Sequence, residues 1–296
     1  MFCFVVLIAV SSVSNTVAAG DLGMSTSTIV PFDETTIRVY DVKYAPTPDV
    51  LYQGDFVLNE GTLSFELDPL TVTEVDMTMY EQADSVRGGL LYDKWWKINE
   101  VAEPSDTYVW YPDVGSQSGS TTWRCKECHG WDYKGQEGAY EEGSSHYTGI
   151  AGLYQIRNQS ATAIYDAIAR KDMSLSEQDI WDLTKFLKEG MVDMNKYVVF
   201  SGAQGKSATG DVGNGQLLYD DLGGCLNCHG GDGNKILSVS VGAVANDNPW
   251  ETLHKIRFGN PGTRMYSAIS KGLSLQDQVD ILTYAQTLPQ FDTGEH

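Results

Sequence analysis

Two short strings, Cys125-Lys-Glu-Cys128-His129 and Cys225-Leu-Asn-Cys228-His229, hold four of the five cysteines and two of the five histidines of this 296-residue chain. Two thiols three positions apart with an imidazole directly behind them suit the covalent capture of a haem. The thiols form thioethers with its vinyl groups, and the imidazole then ligates the iron from one side. The motif occurs twice, so the sequence predicts two covalently bound haem c groups. Cys125, Cys128, Cys225 and Cys228 are the expected attachment points, and His129 and His229 the expected iron ligands. Zinc is the competing chemistry for such residues, but a zinc ribbon closes its two Cys pairs over roughly 15 to 20 residues. Here 100 residues separate Cys125 from Cys225. A redox dithiol would follow a strand of a βαβ pattern, and neither motif does.

Each iron then needs a sixth ligand. In the second half the order is a helical segment Pro249–Phe258, a turn Gly259-Asn-Pro-Gly262, Met265, and an apolar helical pattern over 273–288. Met265 is the expected ligand there, with plain core packing as its alternative. In the first half, sliding the halves for best identity sets Ile164-Tyr-Asp-Ala-Ile168 on Met265-Tyr-Ser-Ala-Ile269, which would leave no methionine in place. Residues 160–170 instead have the helical spacing of the segment before the ligand, so Met173, just ahead of a helical pattern over 175–187, becomes its counterpart. His146, 17 residues past His129, is the competitor, and an open site the third possibility. His254 sits mid-helix and reads as a packed or propionate-bonding residue. Lys255 and Arg257 read as flanking the haem face of that helix, where they would pair with propionates, or else as part of a solvated face.

The elements around the motifs repeat. Arg87-Gly-Gly-Leu-Leu-Tyr-Asp93 parallels Asn214-Gly-Gln-Leu-Leu-Tyr-Asp220, each a helix start ahead of a Cys pair. Tyr92 stands 33 residues before Cys125 but Tyr219 only 6 before Cys225, so the first half carries an insertion of about 27 residues. Its aromatic residues Trp95, Trp96, Trp110 and Tyr111 predict a packed flap. Ahead of all this, residues 35–44, 50–58 and 62–67 alternate apolar and polar with Pro and Gly between them, which predicts a three-stranded antiparallel module. The expected organisation is a signal peptide (1–19), a β-rich module (20–83), a first haem domain (84–200), a Gly-rich linker (201–213) and a second haem domain (214–296).

The export reading rests on the apolar run MFCFVVLIAV and the small residues Val17-Ala18-Ala19. That run is too short to span a membrane. Cleavage after Ala19 removes Cys3, so no thiol remains for a disulfide, a catalytic nucleophile or a thiolate ligand. Forty acidic against 20 basic residues give a formal charge of −20. Such a surface repels nucleic acid and anionic lipid and favours redox proteins with a basic docking face, general solubility being the plainer explanation.

From about Asp84 to Pro289 the chain resembles the dihaem members of the class I cytochrome c superfamily, on the strings WRCKECHGWDYKG and NPWETLHKIRFGNPG. The resemblance implies a mainly α fold, with two tandem cytochrome c domains behind the β module, and export to the periplasm or cell exterior. It also implies outer-sphere electron transfer, and with Met173 as well as Met265 in place both irons would be closed to substrates. The chain departs from the pattern in lacking the proline that often follows the ligand methionine. The alternative within the resemblance is a dihaem oxidoreductase, peroxidase-like or thiosulfate dehydrogenase-like, whose first iron opens to substrate; the latter kind uses a Cys ligand that the mature chain would lack. A third role, docking onto a larger assembly through the β module, is compatible with electron carriage.

Overall fold

The computed structural model describes residues 29–31, 36–43, 51–59, 62–70, 74–200 and 205–292, so the expected signal peptide and His296 lie outside the described residues. The chain divides into two compact units, Met1–Met79 and Tyr80–His296. The described residues are mainly helical, and among them no helix is long and apolar enough to cross a membrane.

The first unit is an antiparallel sheet in sequential order, β1 (Ile29–Pro31), β2 (Thr36–Lys43), β3 (Leu51–Asn59) and β4 (Thr62–Leu70). The expected module thus has four strands, not three. β1 is too short to alternate visibly, and it is recognisable only by its pairing, Ile29 with Val39 through Pro31 with Ile37. β4 runs past the expected end through Pro69, which is tolerated because β4 is an edge strand and a missing N–H costs no ladder bond on the open side. The β2–β3 register shifts between Val39 and Val42, a bulge that leaves the rest of the pairing intact.

α1 (Glu74–Gln82) leads into the helical unit. There follow α2 (Ser85–Ile98), α3 (Cys125–His129), α4 (Ala161–Ala169) and α5 (Glu177–Lys185), the last ending in a π turn, Phe186–Gly190. A hairpin of β5 (Val198–Phe200) and β6 (Lys206–Ala208) comes next. Then follow α6 (Val212–Leu217) with a π turn at Leu218–Leu222, α7 (Cys225–His229), α8 (Val241–Asp247), α9 (Pro249–Phe258) and α10 (Leu275–Ala285). The described part of the expected linker is held rather than free. Gln286, capping α10, accepts from the Ala208 amide (2.9 Å) and donates to the Lys206 carbonyl (2.7 Å).

The two halves of this unit are built on the same contacts. In the first, α2 crosses α5 so closely that a Cβ on Gly88 would lie 2.0 Å from the Asp182 carbonyl oxygen; in the second, α6 crosses α10 and a Cβ on Gly215 would lie 1.9 Å from that of Asp280. The side chains of the same two aspartates accept from the amides at the entry to the partner helices, Asp84 N to Asp182 (2.8 Å) and Asp211 N to Asp280 (2.8 Å). Ring centroids meet at 5.3 Å in both, Tyr92 with Phe186 and Tyr219 with Tyr284. α5 and α10 each begin with a capping box, Ser176 with Asp179 and Ser274 with Asp277, satisfying orphan amides reciprocally. Only a residue without a side chain permits these crossings. Gly88→Ala or Gly215→Ala is therefore expected to force the helices apart and cost about 3 kcal/mol, read as a lower guanidinium midpoint; a variant as stable as the parent would contradict the crossing.

α9 joins the halves. Gly89, next to Gly88, faces the other way: a Cβ there would lie 2.4 Å from Phe258 Cγ. His254 is buried against the first half, donating from Nε2 to the Gly89 carbonyl (3.0 Å) and accepting the Tyr133 hydroxyl at Nδ1 (2.8 Å). Burial lowers its pKa to about 4, so the neutral imidazole that this pairing requires is the stable form. The counterpart of Gly89 is Gln216, which is exposed.

Candidate functional sites

The first site is organised by α3. Tyr92 donates to the Gly130 carbonyl (2.7 Å), and Gly130, at φ +79°, turns the chain where a side chain would be strained. The His129 carbonyl accepts the Gly135 amide (2.9 Å), and His129 Nδ1 donates to the Ala151 carbonyl (2.8 Å). That bond fixes the tautomer and leaves Nε2 as the ligating nitrogen. Burial lowers the His129 pKa to about 4, so the imidazole is held neutral, as metal ligation requires. Burial also pushes the thiols of Cys125 and Cys128 up, to about 12 and about 11. A reactive redox dithiol has the opposite property, a stabilised thiolate.

The second site repeats this turn. Tyr219 donates to the Gly230 carbonyl (2.9 Å), the His229 carbonyl accepts from Lys235 (2.9 Å), and Gly230 sits at φ +76°. A cavity of about 520 Å³, within the usual range for cofactor sites, is lined by Cys225, Cys228, His229 and Met265, with apolar walls from Ile256 and Ile281 among others. Both thiols, an imidazole and a thioether thus line one largely apolar space, a set of residues that could hold a haem c. His229 Nδ1 is buried without a hydrogen-bond partner, unlike that of His129. Burial lowers the His229 pKa and raises that of Cys225 to about 11.

Among the described residues, no group of three or more His, Cys, Asp and Glu side chains is placed to hold a metal ion, so the two Cys pairs do not converge in the manner of a zinc ribbon. Met173 is buried in the core of the first half, in the short segment between α4 and α5. Its neighbours Asp172 and Ser174 both adopt left-handed backbone (φ +51° and +54°), a conformation that costs such residues on the order of 1 kcal/mol each. The packing that buries Met173 outweighs that cost. Tyr108, from the insertion, donates to the Lys171 carbonyl two residues before it. His146 lies elsewhere. It stacks on Tyr140 (4.8 Å between centroids, 17° between planes), and its Nδ1 bonds Glu127 (2.9 Å), inside the Cys-x-x-Cys-His motif. Burial would raise the Glu127 pKa, but the His146 bond and the Lys126 charge override it and bring it to about 2.

Other expectations are corrected. Arg257 donates to the Gly190 carbonyl (2.9 Å) and to Gln278 (3.1 Å), so it tethers the halves and does not flank the second cavity. Lys255 does line that cavity and pairs with Glu251 (3.0 Å). Both nitrogens of His254 are committed to the first half. Trp95 and Trp96 are buried on α2, but Trp110 is exposed, so the insertion is not wholly a packed flap. Tyr92 and Tyr219 marked the repeat in the sequence, but their role in holding the turns after the histidines shows only in the structure.

Neither the curated proteins nor the solved structures provide a match to the chain. Residues 116–190 match the family model described as cytochrome c, a span that opens ahead of Cys125, closes at the end of the π turn after α5, and includes His129 and Met173. The match supports a class I c-type cytochrome, with covalently bound haem c and its iron and a haem-based role in electron transfer.

Proposed function

We propose that the chain is a dihaem c-type cytochrome that passes electrons between redox partners in the periplasm or at the cell exterior. The observation that carries the reading is the repetition just described. The second half, outside the matched span, reproduces the helix crossing, the tyrosine-to-glycine bond and the turn after the histidine, and lines one cavity with Cys225, Cys228, His229 and Met265. Haem c bound in each half would supply a one-electron Fe(III)/Fe(II) couple. Cys125 and Cys128, and Cys225 and Cys228, hold the macrocycles by thioethers. His129 and His229, with Met173 and Met265, would hold the irons, and thioether ligation would raise the reduction potential relative to histidine. No proton or substrate bond would be required of any side chain.

The apolar leader and the haem motifs support export, and the charge of −20 supports a basic protein partner over nucleic acid. The reading is tested on protein matured with haem: a potentiometric titration should show two one-electron waves, and the oxidised protein should show the far-red band of a thioether on ferric iron. A native mass equal to that of the bare polypeptide, or one or two atoms of zinc per chain, would overturn it.

A further inference from the structure

The insertion that the first half carries and the second lacks has two sides. Inward, Tyr108 is buried, its amide bonds Thr122 Oγ1 (2.8 Å), its ring meets Trp123 (4.8 Å), and its hydroxyl holds the Lys171 carbonyl. Thr122 and Trp123, which hold Tyr108, stand three and two residues before Cys125, so the insertion is fastened directly to the first motif. Outward, Val109, Trp110 and Val114 are 79%, 65% and 67% exposed. Their exposure is not that of a loose loop. Trp123 Nε1 donates to the Asp106 carbonyl (2.7 Å), Gly119 N to Thr107 Oγ1 (3.1 Å), Gly115 N to the Pro112 carbonyl (3.0 Å) and Gln117 N to the Tyr111 hydroxyl (3.3 Å).

Charge within the insertion itself has one sign, and the exposed Lys171, whose carbonyl Tyr108 holds, borders it on the side of the first site. Residues 99–123 contain four carboxylates, Glu100, Glu103, Asp106 and Asp113, and no Lys or Arg. The segment 135–146, tied to the insertion by Ser116 Oγ on the Ser145 carbonyl (2.7 Å), adds Glu137, Glu141 and Glu142, again with no Lys or Arg. Lys97 pairs with Glu103 (3.5 Å) at the margin. A second copy of this chain would bring the same sign to the contact, and an anionic lipid surface likewise, so both are opposed by like charge. A basic protein is attracted, and an aromatic anchor inside a charged rim is the usual composition of an interface centre.

We propose that the insertion, with Trp110 as its anchor and the acidic segments as its rim, is the face on which a basic redox protein docks to exchange electrons with the first haem site. This rests on the dihaem carrier reading above. In the encounter one electron passes from the reduced iron of one protein to the oxidised iron of the other, and no bond or proton moves. The pre-held loop lowers the ordering cost of association.

The test is rapid mixing of the reduced dihaem protein with an oxidised, basic monohaem cytochrome c across ionic strength, with a small uncharged quinone as a second oxidant. Trp110→Ser should slow transfer to the cytochrome about tenfold and leave the quinone rate unchanged. The pair Asp113→Lys and Glu142→Lys should slow it about tenfold at low salt and flatten its salt dependence. Cytochrome rates within twofold of the parent in both variants, with normal quinone rates, overturn the docking face while the carrier reading stands. A dimer in sedimentation that Trp110→Ser dissolves assigns the patch to a second copy and also overturns it. If the parent reduces neither oxidant, the carrier reading fails and the proposal falls with it.

Discussion

On the dihaem reading, replacing Cys225 and Cys228 with alanine should lower the haem that survives denaturation from two groups per chain to one. The reverse pair, Cys125→Ala with Cys128→Ala, leaves the other. The reasoning is geometric. The thiols of Cys225 and Cys228 open on their own cavity with His229 and Met265, which Cys125, Cys128 and His129 do not line. Losing one pair of thioethers therefore leaves the other site's attachment chemistry intact. The count is read by the mass of the acid-denatured chain and by haem staining after denaturing electrophoresis. Two haems retained in either double variant, or none in both, would mean that the motifs do not act as two separate attachment sites.

Met173→Ala has the second largest expected effect. The variant should bind cyanide and carbon monoxide at one haem, shift that iron toward high spin in the oxidised state and lower its potential, since a thioether ligand favours Fe(II). His146→Ala should leave spectrum and potential near those of the parent. His146 is engaged with Glu127 and Tyr140, so its loss removes one charge-assisted bond to a buried carboxylate, worth about 2 kcal/mol of stability. The opposite pattern, a silent Met173→Ala and lost ligation in His146→Ala, would make the first site bis-histidine. Parent protein that already binds these ligands at one haem and turns over peroxide would favour the oxidoreductase alternative.

These predictions draw on features of unequal legibility. α9 was readable to the residue because Asn248 caps it, Pro249 starts it and Gly259 ends it. The helices flanking Met173 were readable because Ser160 and Ser176 cap them and apolar residues recur at helical spacing between. The directions of side chains on α9 were not. Trp250, Leu253, His254, Arg257 and Phe258 are buried, and Thr252, Lys255 and Ile256 line the second cavity, so the helix is covered on several sides and its pattern does not say which neighbour each residue meets. Arg257 was misplaced for that reason, and of the two readings of His254 the packed one is what the structure shows. β1 was missed because three residues carry no period, and the exposure of Trp110 because aromatic content signals burial only on average.

Because α9 supplies Phe258 against Gly89 and His254 against Tyr133, the first half closes its core with residues that leave the ribosome more than a hundred positions after its own Cys pair. Synthesis therefore presents Cys125 and Cys128 on a chain whose fold is still incomplete, and a nascent first half interrupted before α9 lacks the means to shut. The first half is therefore no separable module: cut off before Pro249, it would lose Phe258 and His254 from its core.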